Sequence, residues 1–257
     1  MKTICCKITD KGSIKKKNQD SSFVGSISSD SAFGIICDGV GSYNSSEIAS
    51  GWAVSVFSDW FLKCYACISG IEDKETFRSV LYERWNAIFD SINEHIIRFA
   101  EINGIKLACT LSCILIKSGS YYILHIGDTR IYRISSEITR LTEDHTVMER
   151  NIRRKLITRE QAQGDRSKHV LTKCLASRRY VSPDFYSGNI DGTTKFLICS
   201  DGFCNNAEDE RILRMFGADA RKSTTGLRKA AKKIIRSDRS RGERDNITAV
   251  IIQVSKE

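Results

Sequence analysis

The segment Phe33-Gly34-Ile35-Ile36-Cys37-Asp38-Gly39 is a short apolar run that stops at an aspartate followed by a glycine. Its apolar part has the length and composition of a buried β-strand, so we expect Asp38 to lie at a strand end. The same pattern returns in Phe196 to Cys199, which is followed by Ser200-Asp201-Gly202. Asp245-Asn246 directly precedes a further apolar run, Ile247 to Val254. Three aspartates from distant parts of the chain are therefore predicted at strand ends.

Strand ends are places where a rigid scaffold can gather carboxylates, which repel one another unless cations neutralise them. Hard oxygen ligands without a histidine pair favour Mg²⁺ or Mn²⁺ over Zn²⁺. A glycine after Asp38 and Asp201 lets the backbone approach closely, so that a carbonyl can serve as an additional ligand. A single Asp-Gly pair is more typical of a turn, but two at strand ends, together with Asp245, favour a metal site.

A two-metal site would hydrolyse phosphate esters without a protein nucleophile. Two cations about 3.5–4 Å apart lower the pKa of a shared water, and the resulting hydroxide can attack a phosphoryl group in line. None of the ten cysteines is followed six positions later by the arginine that a cysteine-based phosphatase requires. The four histidines form neither an HxH nor an HExxH spacing, which argues against zincins and histidine-ligated metallophosphatases.

The remaining pattern predicts an α+β protein. Asn44 and Glu47 resemble a capping pair before a helix whose apolar residues recur every four positions. A second helix carries its apolar stripe from Phe77 to Ile96, and Cys109 to Ile134 is predicted to be a β-meander with Gly127-Asp128-Thr129-Arg130 as one of its turns. Helices are also expected near 207–215 and 226–236. The first helix is predicted to bury Ile48, Trp52, Val56, Trp60, Cys64 and Ile68.

A single domain over residues 1–257 is expected. The one proline and the absence of Gly/Ser-rich or Pro-rich stretches argue against a linker. The basic, weakly periodic segment at about 146–183 is predicted to be a helical insertion or flap. Strands followed by two helices and a meander favour α+β layers over βαβ repeats.

The net charge of +9 is unevenly distributed. Segments 221–244 and 147–181 carry net charges of +8 and +7, which leaves −6 for the rest of the chain. Such a division fits an acidic metal site beside basic surfaces that attract an anionic substrate. Nucleic-acid binding is the competing interpretation, but no helix-turn-helix, zinc-finger or RNP-like signature accompanies the charge, so no nucleic-acid partner is expected.

The sequence predicts a cytoplasmic protein. It shows no apolar run of signal-peptide type and none near 18 residues, so no membrane partner is expected. Several cysteines lie in apolar strand-like runs, as Cys37, Cys113 and Cys199 do, which is typical of reduced, buried thiols. The lone Cys64-x-x-Cys67 pair lacks a second pair and is expected neither to bind zinc nor to act in redox chemistry.

Seven motifs in a fixed order resemble the PP2C-like (PPM) phosphatase family in its compact bacterial form, and the resemblance spans about Gly12 to Val254. The most characteristic are Asp38-Gly39-Val40-Gly41, Gly127-Asp128-Thr129-Arg130, Cys199-Ser200-Asp201-Gly202 and Asp245-Asn246-Ile247-Thr248. The others are Lys15-Lys16-Lys17-Asn18-Gln19-Asp20, Leu141-Thr142-Glu143-Asp144-His145-Thr146 and Leu171-Thr172-Lys173-Cys174-Leu175.

The resemblance implies an αββα sandwich, in which two antiparallel sheets are flanked by helix pairs, with a site for two Mn²⁺ or Mg²⁺ ions between the sheets. Asp38 would bridge the two ions, the Gly39 carbonyl would bind one of them, and Asp201 and Asp245 would complete the ligand set. Asp20 would act through a metal-bound water. Asp128 matches the position that holds a third, weaker metal in bacterial relatives.

The sequence also departs from the family pattern. Lys15 stands where the family usually has a phosphate-binding arginine; lysine keeps the charge but loses the bidentate fork, so weaker phosphate binding is expected. Ser42 replaces a glycine, and Cys109 replaces the glycine that usually precedes Thr110. Val40 stands where eukaryotic relatives place a histidine proposed as general acid, which would leave protonation of the leaving group to water.

The leading hypothesis is an active phosphatase that removes phosphate from serine or threonine of phosphorylated proteins, paired with a cognate Ser/Thr kinase and its targets. The alternative is a pseudophosphatase that binds phosphoproteins as a regulator. Such a protein typically loses an aspartate of the metal set, and this chain retains all five (Asp20, Asp38, Asp128, Asp201 and Asp245). His145, Asn246 and Arg130 are expected to have structural roles, in hydrogen bonding, turn formation and an ion pair.

Overall fold

The computed structural model describes residues 1–41, 43–162, 164, 166–205, 209–217 and 223–255. Position 42 and part of the predicted 207–215 helix lie outside these residues. Ten strands and the helices of the described residues form four layers. The strands are β1 (Lys2–Asp10), β2 (Asp20–Ser26), β3 (Ser31–Asp38), β4 (Leu111–Lys117), β5 (Ser120–Ile126), β6 (Arg130–Ile134), β7 (Ile138–Arg140), β8 (Asp184–Asn189), β9 (Thr194–Cys199) and β10 (Ile247–Ser255).

Two five-stranded antiparallel sheets make up the centre of the molecule. One has the strand order β1-β10-β9-β6-β7 and the other β2-β3-β4-β5-β8. The flanking helices are α1 (Ser46–Lys63), α2 (Ala66–Ser69), α3 (Lys74–Asn103), α4 (Val147–Arg153), α5 (Asp201–Cys204), α6 (Asp209–Phe216) and α7 (Thr224–Ser240), and a short 3₁₀ helix spans Arg166–His169.

Three apolar clusters hold the layers together. Side chains such as Ile36 of β3 and Val250 of β10 pack between the two sheets. Helices α1 and α3 cover the outer face of the β2-containing sheet, whereas α5, α6 and α7 cover the outer face of the other sheet. Central strands are apolar on both faces, as β4 shows, because each sheet is covered on both sides. The predicted αββα sandwich is confirmed.

The predicted meander is wrong in one respect. Strands β4 and β5 pair as a hairpin, but β6 pairs with β7 and β9 in the other sheet. The chain therefore crosses between the sheets at Gly127–Thr129 instead of turning within one sheet. The hydrophobic pattern could not show this, because a strand covered on both faces has the same composition in either sheet. The crossing places Asp128 at the opening between the sheets.

Helix α1 begins and ends differently from the prediction. Ser45 takes the N-cap position, and Glu47 forms an ion pair with Lys17 instead of a capping pair with Asn44. The helix ends at Lys63, and Ile68 belongs to α2. The buried stripe follows Ala49, Ala53, Phe57 and Phe61, whereas Val56 is 39% exposed.

The second predicted helix is confirmed as α3, which buries Phe77, Leu81, Trp85, Ile92 and Ile96. All ten cysteines are free, and Cys64 and Cys67 are exposed. Across the described residues, no helix combines the length and apolar character that crossing a bilayer requires.

Candidate metal centre

Asp38 lies at the end of β3, and a threonine network fixes its backbone. The Asp38 amide donates to Thr110 Oγ1 at 2.9 Å, and the Thr110 amide donates to the Asp38 carbonyl at 2.8 Å. Thr129 Oγ1 in turn donates to Thr110 Oγ1 at 3.0 Å. Both threonines are buried. The network ties the end of β3 to the crossing segment that carries Asp128.

Asp20 lies opposite Asp38, because the two residues are partners in the β2–β3 register. Asp20 is 9% exposed, and neither of its carboxylate oxygens has a hydrogen-bond partner of good geometry among the described residues. Burial raises the pKa of the Asp20 carboxyl to about 7, and the nearby Asp201 charge adds to the shift. An ionised carboxylate that is buried without a partner destabilises the folded protein unless a cation binds it or a proton neutralises it.

Asp201 and Asp245 come from the neighbouring strands β9 and β10. Asp201 is the first residue of α5, two positions after the end of β9, and Asp245 precedes β10 by two positions. The two turns touch at Gly202, where a Cβ atom would lie 2.2 Å from the Asn246 carbonyl oxygen. Only glycine permits this approach, which explains the Asp-Gly pair at the end of β9.

Asn246 has the structural role predicted for it. Its Oδ1 accepts a hydrogen bond from the Gln19 amide at 2.8 Å, and its Nδ2 donates to the carbonyls of Lys11 (2.8 Å) and Lys17 (3.2 Å). One side chain therefore binds both ends of the loop that carries Lys15. Lys15 Nζ reaches Asp245 Oδ1 at 2.9 Å, so the predicted phosphate-binding cation lies beside a predicted metal ligand.

Asp128 occupies the crossing between β5 and β6 and is 8% exposed. Gly127 before it has φ +110°, and a Cβ atom there would lie 2.4 Å from Thr110 Cγ2. Burial, followed by repulsion from Asp201, raises the pKa of Asp128 well above its usual range. The pKa of Asp38 is raised in the same way, first by burial and then by repulsion from Asp20 and Asp201.

His169 is a site residue that the sequence did not predict. It ends the short 3₁₀ helix of the 146–183 segment, and its Nδ1 lies 3.4 Å from Asp201 Oδ2. Possible ligand atoms of Asp128, His169 and Asp201 all lie within 4.8 Å of one another. Burial opposes ionisation of Asp201, but His169, together with the Gly202 amide and the charge of Arg130, outweighs the burial and lowers the pKa of that carboxyl. No sequence pattern singles out His169, because the segment around it is weakly periodic.

The site opens into a cleft of about 500 Å³. Its acidic floor includes Asp38, Asp128, Asp201 and Asp245, while Lys15, Lys168 and Arg244 bring positive charge to its walls. The Val40 position, where a histidine was noted as missing, also lines the cleft. An anionic group entering the cleft would therefore meet cations at the walls and carboxylates at the floor.

Divalent cations fit this arrangement. Both oxygens of Asp20 and Oδ1 of Asp201 are buried without a partner of good geometry among the described residues. Carboxylates converge from four separate turns, the pKa values of Asp38 and Asp128 among them are raised, and their oxygens are the donors that Mg²⁺ and Mn²⁺ prefer. Gly39 lies beside Asp38 on the cleft wall, where the family pattern places a carbonyl ligand.

The supporting residues behave largely as predicted. Arg130 forms an ion pair with the buried Asp144, with Nη2 to Oδ2 at 2.7 Å. His145 accepts from the Gly127 amide through Nδ1 at 3.0 Å, and its Nε2 lies 3.0 Å from Asp184. Both side chains therefore stabilise the crossing segment and are not metal ligands. Cys109 forms an isolated β-bridge with Leu175.

Comparison with known proteins agrees with this geometry. The family model described as protein phosphatase 2C matches residues 13–234. The chain is 28% identical over 253 residues to the serine/threonine phosphatase stp of Listeria monocytogenes serovar 1/2a, covering 95% of this chain and 93% of the relative.

Solved structures share the fold. The serine/threonine phosphatase Stp1 from Staphylococcus aureus is similar with a TM-score of 0.83 at 22% identity, covering 98% of this chain and 95% of that chain. The catalytic domain of the serine/threonine protein phosphatase PstP, solved with two manganese ions, has a TM-score of 0.76 at 22% identity and covers 99% of both chains.

Proposed function

Because the chain belongs to the protein phosphatase 2C family and is a protein serine/threonine phosphatase, we propose that it hydrolyses phosphoserine and phosphothreonine by a metal-dependent reaction in the cleft. One observation supports this most strongly: four turns from distant parts of the chain bring the carboxylates of Asp38, Asp128, Asp201 and Asp245 to one opening between the sheets. Asp128 and the neighbouring Asp20 are buried, and neither Asp20 oxygen has a hydrogen-bond partner of good geometry among the described residues. Such a cluster is stable only with bound cations or protons.

We assign the ligands residue by residue. Asp38 would be shared by two Mn²⁺ or Mg²⁺ ions, with the Gly39 carbonyl, Asp201 and Asp245 as further ligands and Asp20 acting behind them. Asp128 and Asp201, joined here by His169, would hold a third ion. When bound, the ions supply a hydroxide at neutral pH and neutralise charge on the phosphoryl oxygens.

The chain's own residues prepare this reaction. Lys15 would bind the substrate phosphate, and its ion pair with Asp245 fixes the ammonium group at the cleft wall. Thr110 holds the Asp38 backbone in place, so the shared carboxylate does not have to reorganise when substrate enters. Since Val40 cannot donate a proton, the leaving group would take its proton from water.

The pseudophosphatase alternative gains no support. All five predicted aspartates are present, and those at positions 38, 128, 201 and 245 line the same cleft while Asp20 lies opposite Asp38 on the neighbouring strand. The substrates would be phosphorylated proteins, with a cognate Ser/Thr kinase acting on the same targets. A single domain over 1–257 with a flap at 146–183, and a cytoplasmic location, stay predictions.

The deciding experiment is hydrolysis of a small aryl phosphate with Mn²⁺. We expect turnover that EDTA abolishes and that Asp38→Asn reduces by more than about a hundredfold, beyond the usual effect of residues that only support metal ligands. Glu137→Gln, a change outside the cleft, is the control and should leave turnover unchanged. Turnover that persists in EDTA or in Asp38→Asn would refute the metal-dependent mechanism.

A further inference from the structure

Helix α7 presents a row of positive charges to solvent. Its buried face consists of small and aliphatic residues such as Leu227, Ala231 and Ile234, which pack on the β1-containing sheet. Its only acidic residue, Asp238, is turned inward and forms an ion pair with Arg211 at 2.7 Å. The exposed face has no acidic residue to neutralise it, and its exposed cations include Lys229, Lys232, Lys233 and Arg236.

These four cations lie on one side of the helix. Their spacing of three and four residues keeps them within about a third of the helix circumference. None of them forms an ion pair with a residue that the structure describes. Lys229 and Lys233, and likewise Lys232 and Arg236, are like-charge neighbours four residues apart, an arrangement that destabilises a helix on its own. The arrangement of these cations therefore does not contribute to the stability of α7.

The charged helix ends on the side of the molecule that holds the cleft. At the end of α7, Arg239 contacts Asp10 at 3.3 Å, and Asp10 pairs with Ile247 at the start of β10. The C-terminal end of α7 therefore lies at the sheet edge that carries Asp245. The exposed Arg244, four residues after the end of α7, lines the cleft and forms no ion pair with a described residue. We name Lys229, Lys232, Lys233, Arg236 and Arg244 together the basic track.

We propose that the basic track binds an acidic segment of the phosphoprotein substrate, to one side of the phosphorylated residue, and so selects substrates of this class. The inference rests on the proposed function, because the acidic segment and the phosphorylated residue belong to one polypeptide. Lys229 to Arg236 span about 10 Å of helix, which matches an extended acidic run of about three or four residues. Charge complementarity along the track would lower KM and leave the chemical step unchanged.

Other anionic partners fit the track less well. An amphipathic helix that lies in a membrane surface buries apolar residues beside its cations, and the exposed face of α7 has none. Single-stranded nucleic acid is held by aromatic side chains on which bases stack, and α7 contains no aromatic residue. An acidic peptide needs only spaced cations on a rigid element, and α7 provides these.

The test compares phosphothreonine peptides that differ only in a flanking run of four Asp or four Asn, placed on either side. We expect the wild-type enzyme to prefer one Asp peptide by about tenfold in kcat/KM, as several exposed ion pairs would give, and to lose the preference at high salt. Lys229→Glu/Lys233→Glu should remove the preference. Arg84→Glu/Lys106→Glu, exposed cations on the opposite flank, changes the net charge equally and should retain it.

Two further measurements separate the possible failures. Aryl phosphate hydrolysis reports the proposed function alone and should be equal in both double variants. Anisotropy of the fluorescein-labelled Asp peptide in EDTA measures docking without turnover, so the track is tested even in an inactive protein. Equal binding of Asp and Asn peptides by the wild type, or loss of preference in the control variant, would overturn the proposal, as would tighter binding of oligo(dT) than of the Asp peptide.

Discussion

At the scale of single residues, the site depends on carboxylates that the fold holds together against their mutual repulsion. Asp20 and Asp38 face each other across two strands, and the pKa of each is raised mainly by burial. The glycine and threonine neighbours matter as much as the acids, since Gly202 allows two turns to touch and Thr110 fixes the Asp38 backbone. The position of each carboxylate therefore depends on the residues packed around it.

Lys15 is the residue whose identity should tune phosphate binding. Lys15→Arg adds a planar fork that can hold Asp245 and a phosphate oxygen at the same time. We expect the inhibition constant for inorganic phosphate to fall by about three- to tenfold, while Lys15→Ala raises it. Lys16→Ala, an exposed neighbour that does not line the cleft, is the matched control. An unchanged constant in Lys15→Ala would show that Lys15 does not bind the phosphate.

At the scale of elements, helix α1 shows that an error of one residue in the predicted position of the buried stripe changes which residues form the core. Phe57 is fully buried and contributes to the aromatic cluster around Trp85. By contrast, more than a third of the surface of Val56 is exposed to solvent. We expect Phe57→Ala to lower the free energy of unfolding by about 3–5 kcal/mol. Val56→Glu should change it by less than about 0.5 kcal/mol. Urea denaturation measures both, and similar effects of the two changes would contradict the buried stripe.

The 146–183 segment is anchored by a buried carboxylate. Glu149 of α4 is 5% exposed and lies 3.7 Å from Arg140 of β7 and 3.0 Å from Arg159 of the segment itself. We expect Glu149→Gln to loosen the segment, because one carboxylate compensates two guanidinium groups. Tryptic cleavage near Arg153 should become about tenfold faster. Glu143→Gln removes the more exposed pair with Arg153 and is the control; equal acceleration in both variants would refute an anchoring role.

At the scale of the whole molecule, metal binding and folding should be linked through pH. In the metal-free protein, the raised pKa values of Asp20, Asp38 and Asp128 mean that the folded state holds protons that the unfolded state has lost. These groups therefore make the free energy of unfolding fall as pH rises from the unfolded value near 4 through about 7. Cations compete with these protons, since they bind the ionised carboxylates.

Thermal unfolding tests this linkage. Mn²⁺ at about a hundred times its dissociation constant stabilises by about 2.7 kcal/mol per site, which raises Tm by about 5–10 °C for a chain of this size. We expect the rise to be larger at pH 8 than at pH 6 and to be much reduced in Asp38→Asn. In EDTA at pH 8, Asp38→Asn should be more stable than the wild type, because it removes a repelled charge. A Tm that does not respond to Mn²⁺ would contradict the assigned site.

The sequence by itself determined where Asp38, Asp201 and Asp245 lie relative to their strands. Asp38 and Asp201 follow apolar runs and Asp245 precedes one. A run of four to eight apolar residues indicates a buried strand and shows where that strand begins and ends. The order of motifs also fixed the family and the αββα layers. Lys15 and Asp128 were found through that order and not from any local pattern.

Only the tertiary structure decided which sheet each strand joins and which distant side chains meet. The β5–β6 crossing, the N-cap at Ser45 and the contact between His169 and Asp201 depend on packing between segments far apart in sequence. A local hydrophobic pattern records how much of a residue is covered, but it does not record what covers it. For that reason the sequence predicted the acids that the fold brings to one cleft, and the fold was needed to reveal the histidine beside them and the exposed cations of α7.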